Sequence, residues 1–295
     1  LPEAETPPAL PPLRAVIARH GLLAQKALGQ HFLLDLNLTG RIVRAATAFL
    51  PEPARDLARG SVIEVGPGPG GLTRALLASG AAQVIAVEKD RRCRAALAEL
   101  AAAYPGRLEI VEADALACDL SVLGEPPRRL IANLPYNIST ALLLAWLAAL
   151  AKDPHCFAGM VLMFQKEVAA RLGAAPRSKD YGRLSVITQW LCAVEPLFEI
   201  PARAFTPPPK VTSTVVGLLP RAAPLAPADF ETLQRVTAAA FGQRRKMLRQ
   251  SLKSLGGDPA ALLAAARVPE TARAEELDVA AFCALARELA ARPST

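Results

Sequence analysis

The chain has 295 residues, 52% of them apolar, and a net charge of +7. That length accommodates one large α/β domain and a smaller one, while the longest apolar run, 138–151 and broken by Ser139 and Thr140, is too short to span a bilayer. Five scattered cysteines without a CxxC pair, and three isolated histidines, argue against a structural zinc or other metal site and suit reduced thiols in a cytoplasm.

Residues 1–13 carry five prolines and two acidic residues with no basic n-region, so they predict a disordered tail rather than a signal peptide. From 35 to 50, Leu38, Ile42, Ala45, Ala46 and Phe49 recur at helical spacing. Strand and helix patterns then alternate. Strand 62–65 runs into a Gly-rich turn and a helix over 72–78, and strand 84–87 is followed by a charged, Ala-rich helix over 90–103. Strands 108–111 and 130–132, a buried helix over 141–151 and strand 159–164 complete the series. Such alternation implies a mostly parallel sheet with helices on both faces. Segments 191–198 and 211–219 read as an antiparallel edge pair, and a Pro-containing linker over 220–227 precedes an all-helical tail. The expected organisation is a tail over 1–13, an α/β domain over 14–222 and a small helical domain over 223–295.

Polar residues recur at the carboxyl ends of the predicted strands, where open α/β sheets bind ligands. The first is the turn Glu64-Val-Gly-Pro-Gly-Pro-Gly-Gly71, which also satisfies the GxGxxG pattern of dinucleotide sites. Pro67 and Pro69 remove two N–H donors from a loop that would need donors for a pyrophosphate. Glu64 places an acid just before the glycines, where phosphate would be repelled. S-adenosylmethionine, with a cationic centre and an ammonium group, tolerates both features. Glu88, after the second strand, is placed to accept ribose hydroxyls, although Lys89-Asp90 beside it also fits a surface charge. Asp114, after the third, is placed to accept from the cofactor's adenine amine.

Asn133-Leu134-Pro135-Tyr136 follows the fourth strand. The amine of adenine is a poor nucleophile because its lone pair is delocalised into the ring. Two acceptors on its hydrogens, the Asn133 side-chain oxygen and the Leu134 carbonyl, would draw it toward an attacking geometry. Pro135 biases Leu134 to an extended backbone, and Tyr136 offers a face for a base taken out of its stack. An ordinary turn with a half-buried Tyr fits the same four residues. Further on, 241–253 gathers Arg244, Arg245, Lys246, Arg249 and Lys253 without an acid. On a helix, Arg245, Arg249 and Lys253 would share a stripe with Lys246 beside it, and Leu248, Leu252 and Leu255 would form a separate apolar stripe. That ridge suits phosphate contacts, and equally a solvated helix face.

Together these motifs resemble the small-subunit (16S) ribosomal RNA adenine N6-dimethyltransferases, relatives of the erythromycin-resistance rRNA methylases. The likeness runs from 28 to about 255 and includes Leu28-Gly-Gln-His-Phe-Leu-Leu-Asp35, residues 64–70, Glu88, Asp114, Asn133–Thr140, Phe205–Val211 and 241–252. It implies a Rossmann-like S-adenosylmethionine-dependent sheet with a helical C-terminal domain. The cofactor contacts it implies are His31, Leu33, Gly66, Glu88, Asp114 and Asn133, and the target-base platform is Asn133, Leu134, Tyr136 and Phe205. Three prolines would stiffen the loop that holds Phe205 opposite Tyr136. The family usually has Asn where His31 stands, which leaves Leu33's backbone contact intact but not a side-chain one. The implied reaction is dimethylation of two adjacent adenines near the 3′ end of small-subunit rRNA, by a cytoplasmic monomer that needs no metal and contacts rRNA through Arg245, Lys246, Arg249 and Lys253. The rivals are a resistance-type methylase of large-subunit rRNA, a nicotinamide oxidoreductase on the same sheet, and a non-catalytic assembly factor.

Overall fold

The computed structural model describes residues 10–25 and 29–292. In chain order the elements are α1 (Leu13–Arg19), β1 (Phe32–Leu33), α2 (Leu36–Phe49), β2 (Ser61–Val65), α3 (Gly71–Ala78), β3 (Gln83–Glu88), α4 (Cys93–Ala103), β4 (Leu108–Glu112) and β5 (Arg128–Asn133). Then come α5 (Ser139–Lys152), β6 (Gly159–Gln165), α6 (Lys166–Leu172), α7 (Arg183–Leu191), β7 (Cys192–Ile200), β8 (Phe205–Thr206) and β9 (Ser213–Pro220). The last are α8 (Phe230–Gly242), α9 (Leu248–Ser251), α10 (Pro259–Ala265) and α11 (Val279–Ala290).

The main sheet has the order β4-β3-β2-β5-β6-β9-β7. Strands β4, β3, β2, β5 and β6 are parallel, and β9 runs antiparallel to β6. The two expected edge strands, β7 and β9, are neighbours at this edge. Helices on both faces leave the central strands dry: every residue of β2 is buried, Glu64 and Ser61 with Val62, Ile63 and Val65. Ile42, Val43 and Ala46 of α2 share a core with Leu72, Leu76 and Leu77 of α3 and with Val62, Ile131 and Val161 of the sheet. Asp35 fixes the start of α2 by accepting the amides of Asn37 and Leu38.

The chain divides into two compact units. The first holds residues up to Trp146, His155–Lys166 and Pro196–Leu219; the second holds Leu147–Pro154, Glu167–Glu195 and everything from Pro220 onward. A single break at 222 was the sequence expectation. The segment around α7 belongs instead with the C-terminal helices, because Trp190 stacks on Phe230 at 6.2 Å and donates its indole N–H to the Ala226 carbonyl at 2.8 Å. Within that unit Tyr181, Phe241 and Phe282 form an aromatic cluster, with ring centroids 5.9 and 5.4 Å apart.

Two local expectations are corrected. Of the predicted tail, 1–9 lie outside the described residues, but Leu13 opens α1 and is buried, and the Pro11 carbonyl accepts from Arg74 at 2.7 Å. The basic stretch is not one helix. Residues 243–246 turn, Met247 bridges to Arg273, α9 spans only Leu248–Ser251, and a 3₁₀ turn covers Leu252–Leu255. Arg244 leaves the basic set, because its guanidinium pairs with Glu275 at 2.9 Å and donates to the carbonyls of Lys179 and Ser178. Arg245, Lys246, Arg249 and Lys253 are exposed, while Leu248 and Leu252 are buried.

Candidate active site

A cavity of about 250 Å³ lies within the first unit, at the carboxyl ends of the parallel strands. His31, Leu33, Gly66, Glu88, Asp114, Asn133, Leu134 and Tyr136 all line it. Phe205 does not. Its side chain is 2% exposed, and β8 pairs antiparallel with β1 so that Phe205 faces Leu33 and joins the apolar core with Ile200 and Val215. Burying a phenyl ring is worth roughly 1.5–3 kcal/mol, and that burial takes the ring the resemblance had assigned to the target base.

The floor of the cavity is acidic. Glu64 is 1% exposed and accepts the Thr73 hydroxyl at 2.7 Å; burial, with the Glu88 charge adding, pushes its carboxyl up to about 8. Glu88 is buried as well and lines the cavity, so it is not a surface charge. One of its oxygens accepts the Gly68 amide at 2.9 Å and the other the Asp90 amide at 2.8 Å. Burial raises its pKa against the lowering effect of those amides. A carboxylate offers about four acceptor positions, so both oxygens retain capacity for ribose hydroxyls. At the rim, Asp114 accepts Lys89 Nζ at 2.7 Å and the Leu116 amide at 3.1 Å, and these contacts hold its carboxyl below the usual range.

Between Gly66 and Gly70 the turn has no N–H to spare. Gly66 donates to the Val87 carbonyl, Gly68 to Glu88 and Gly70 to the Pro67 carbonyl, and Pro67 and Pro69 have none to give. Gly66 has φ +68°, and a Cβ there would approach the Pro135 ring at 3.3 Å, so the loop needs glycine at this point. A diphosphate would find no free amide along 66–70, the Gly68 amide being held by Glu88. A cationic nucleoside finds an acid floor and a glycine surface it can approach closely.

Asn133, at the end of β5, donates its Nδ2 to the His31 carbonyl at 3.2 Å. That bond assigns the amide orientation and leaves Oδ1 as the acceptor. Tyr136 is half-buried, its hydroxyl hydrogen-bonds Ser213 Oγ, and burial raises its pKa. The His31 ring lies 5.3 Å from the Tyr136 ring, and its Nδ1 donates to the Pro207 carbonyl at 2.8 Å. Its carbonyl meets Asn133 while its side chain points to the proline loop. No group of three or more His, Cys, Asp or Glu side chains able to hold a metal ion occurs among the described residues.

An acid-backed, donor-poor pocket at the strand ends, with an oriented amide beside it, puts the protein in the class of Rossmann-like methyltransferases that use S-adenosylmethionine on a flat amine. Comparison with known proteins narrows the class: the chain belongs to the ribosomal RNA adenine dimethylase family, whose model matches residues 21–291. It is 68% identical over 283 residues to the ribosomal RNA small subunit methyltransferase A of Paramagnetospirillum magneticum, covering 96% of each chain. With the protein of that name from Rhodospirillum rubrum it shares 62% over 292 residues, covering 99% of this chain and 97% of the relative. Among solved structures, a dimethyladenosine transferase from Plasmodium falciparum matches with a TM-score of 0.69 and 25% identity, over 86% of this chain and 96% of its own. The 23S rRNA methyltransferase ErmE matches with a TM-score of 0.59 and 28% identity, over 88% and 99%.

Sequence reasoning missed three partners of this site. Lys89 had a signal, since it follows Glu88 directly. Thr73, which bonds Glu64, and Ser213, which bonds Tyr136, had none, because only the fold brings them within reach.

Proposed function

We propose that the protein transfers methyl groups from S-adenosylmethionine to N6 of two adjacent adenines near the 3′ end of small-subunit rRNA, during assembly of the small ribosomal subunit. The observation that carries this reading is the Asn133 side chain, which lines the cavity beside the Gly-rich turn with its Nδ2 held by the His31 carbonyl and its Oδ1 left to accept. The names of its relatives, at 68% and 62% identity across almost the whole chain, favour the small subunit.

Bound S-adenosylmethionine supplies an electrophilic methyl group. Glu88 takes its ribose hydroxyls, Asp114 its adenine amine, and the backbone at Leu33 and Gly66 closes around it. Asn133 Oδ1 and the Leu134 carbonyl accept the two N6 hydrogens, and Tyr136 supports the extruded base. The bound cofactor would supply the methyl group to N6, and the alkylated amine then gives its proton to water. Catalysis is chiefly positioning, and the residues need neither a metal nor a covalent nucleophile. Arg245, Lys246, Arg249 and Lys253 bind rRNA phosphates, and the enzyme acts as a monomer in the compartment that holds ribosomes. No helix among the described residues is long and apolar enough to cross a membrane.

The test supplies labelled S-adenosylmethionine with unmethylated small or large subunits, then maps the modified bases. Two dimethylated adenines on the small subunit are expected. Label confined to large-subunit rRNA would move the chain to the ErmE-like reading.

A further inference from the structure

Four contacts converge on one histidine and the loop beside it. His31 Nδ1 lies 2.8 Å from the Pro207 carbonyl, and a carbonyl only accepts, so this nitrogen carries the proton. The imidazole packs beside Tyr136, with centroids 5.3 Å apart and planes tilted by 30°. The next residues, Phe32 and Leu33, pair with Thr206 and Phe205 across the β1–β8 ladder. At the far end of the same proline-rich segment, Ser213 Oγ bonds the Tyr136 hydroxyl, and Ser213 is fully buried. The segment is therefore fastened at its start to His31 and at its end to Tyr136.

We propose that His31 acts as a positioning residue, whose side chain clamps the proline-rich segment after Phe205 against Tyr136 and so sets the ring that supports the target base. The side chain has its donor committed to Pro207 and its ring committed to Tyr136, which leaves the cofactor to the backbone at Leu33 and to the acids. The clamp also explains how Tyr136 keeps its place although Phe205 is withdrawn into the core. Its ring is held at the edge by Ser213 and beside the face by His31. This inference rests on the methyl-transfer reading above, but it concerns alignment of whichever adenine the enzyme modifies.

Three substitutions separate the two contacts. His31→Asn keeps a donor the same number of bonds from the backbone as Nδ1 and loses the ring. His31→Phe keeps a ring and loses the donor, and His31→Ala loses both. A misaligned base platform lowers turnover without weakening either ligand, so His31→Ala should reduce kcat by on the order of tenfold or more. RNA KM and cofactor Kd should stay within about twofold. His31→Asn should recover most of the lost kcat, and His31→Phe should not. Ser213→Ala, which releases the other end of the segment, should lower kcat in the same selective way and serves if His31→Ala fails to fold. Parent-like kcat in His31→Ala overturns the proposal, as it does in Ser213→Ala if His31→Ala does not fold. So does a loss cured by saturating cofactor, which would return the side chain to cofactor binding. His31→Phe at parent level with His31→Asn as low as alanine would refute the tether. Which subunit the parent enzyme methylates tests the functional reading; the ratio of variant to parent, on the RNA the parent modifies, tests this one.

Discussion

Glu64→Gln should abolish a pH dependence of stability built into the cavity floor. The Glu64 carboxyl is 1% exposed and is pushed up to about 8 from an ordinary 4.5. Between those values the folded protein keeps a proton that the unfolded chain has released. Folding then takes up a proton, and the contribution is fully present below about 4.5 and lost as pH rises through about 8. Across that window the loss approaches roughly 1.4 kcal/mol per pH unit, the limiting slope for one proton. Glutamine is isosteric, neutral at every pH and still accepts from Thr73, so the variant should lack this slope. Urea unfolding of cofactor-free parent and variant, from about pH 5 to about pH 8, compares the slopes directly, and the variant should gain on the parent steadily. A cationic ligand above the carboxyl favours its ionised form, so cofactor binding should release more protons and tighten more with pH in the parent than in the variant, which keeps Glu88. Parallel stability profiles for the two proteins would show that Glu64 does not hold its proton in the fold.

Asn133→Ala should leave cofactor Kd within a few-fold, as calorimetry would report, and lower kcat on RNA by on the order of a hundredfold, the scale for removing one positioned polar group. Turnover near the parent's would remove Asn133 from the amine. Gly71→Ala should destabilise the fold by about 1–3 kcal/mol, because the added Cβ would sit 2.5 Å from the Leu33 carbonyl oxygen. An unchanged melting temperature would mean that β1 and α3 can separate at little cost. Replacing Arg245, Arg249 and Lys253 together by Glu should weaken binding to the small-subunit particle and flatten its salt dependence by about one unit of slope per lost phosphate contact. Parent-like affinity and slope, with the fold intact, would leave those side chains as solvated surface.

What the sequence made legible is what period and strand-end position encode. Alternating apolar runs locate the strands to within a few residues, and the rule that ligands gather at carboxyl ends of parallel strands puts Glu64, Glu88, Asp114 and Asn133 around one cavity. Packing choices are less legible. Phe205 reads as an aromatic in a stiff loop, and nothing local says that β8 will pair with β1 and bury the ring. Arg244 reads as one of five cations, and its pairing with Glu275 depends on a contact 31 residues away. The basic stretch has helical spacing, yet the chain breaks it into turns before Leu248. Charge counts in sequence overstate the exposed cations whenever the fold has its own use for one of them.

The choice of cofactor illustrates the same limit. Gly66, Gly68 and Gly71 fit a dinucleotide pattern as well as they fit this site, so the glycines cannot decide. Pro67 and Pro69 favour a cation by removing donors, but restoring one amide would return only about 1.5–3 kcal/mol of interaction with a phosphate. An ionised carboxylate at about 5 Å repels a phosphate charge by roughly 3 kcal/mol at an effective dielectric constant of 20. Three carboxyls line this cavity; Glu64 holds its proton up to about 8, so the repulsion comes from Asp114 and Glu88, and Glu88 also consumes the Gly68 amide. The acids therefore outweigh the prolines, and replacing the prolines alone would not convert the pocket to a dinucleotide site. The discriminating signal in the sequence is the placement of Glu64 and Glu88 at adjacent strand ends, where Glu88 consumes the Gly68 amide and Glu64, which holds its proton up to about 8, can ionise beneath a cationic methyl donor.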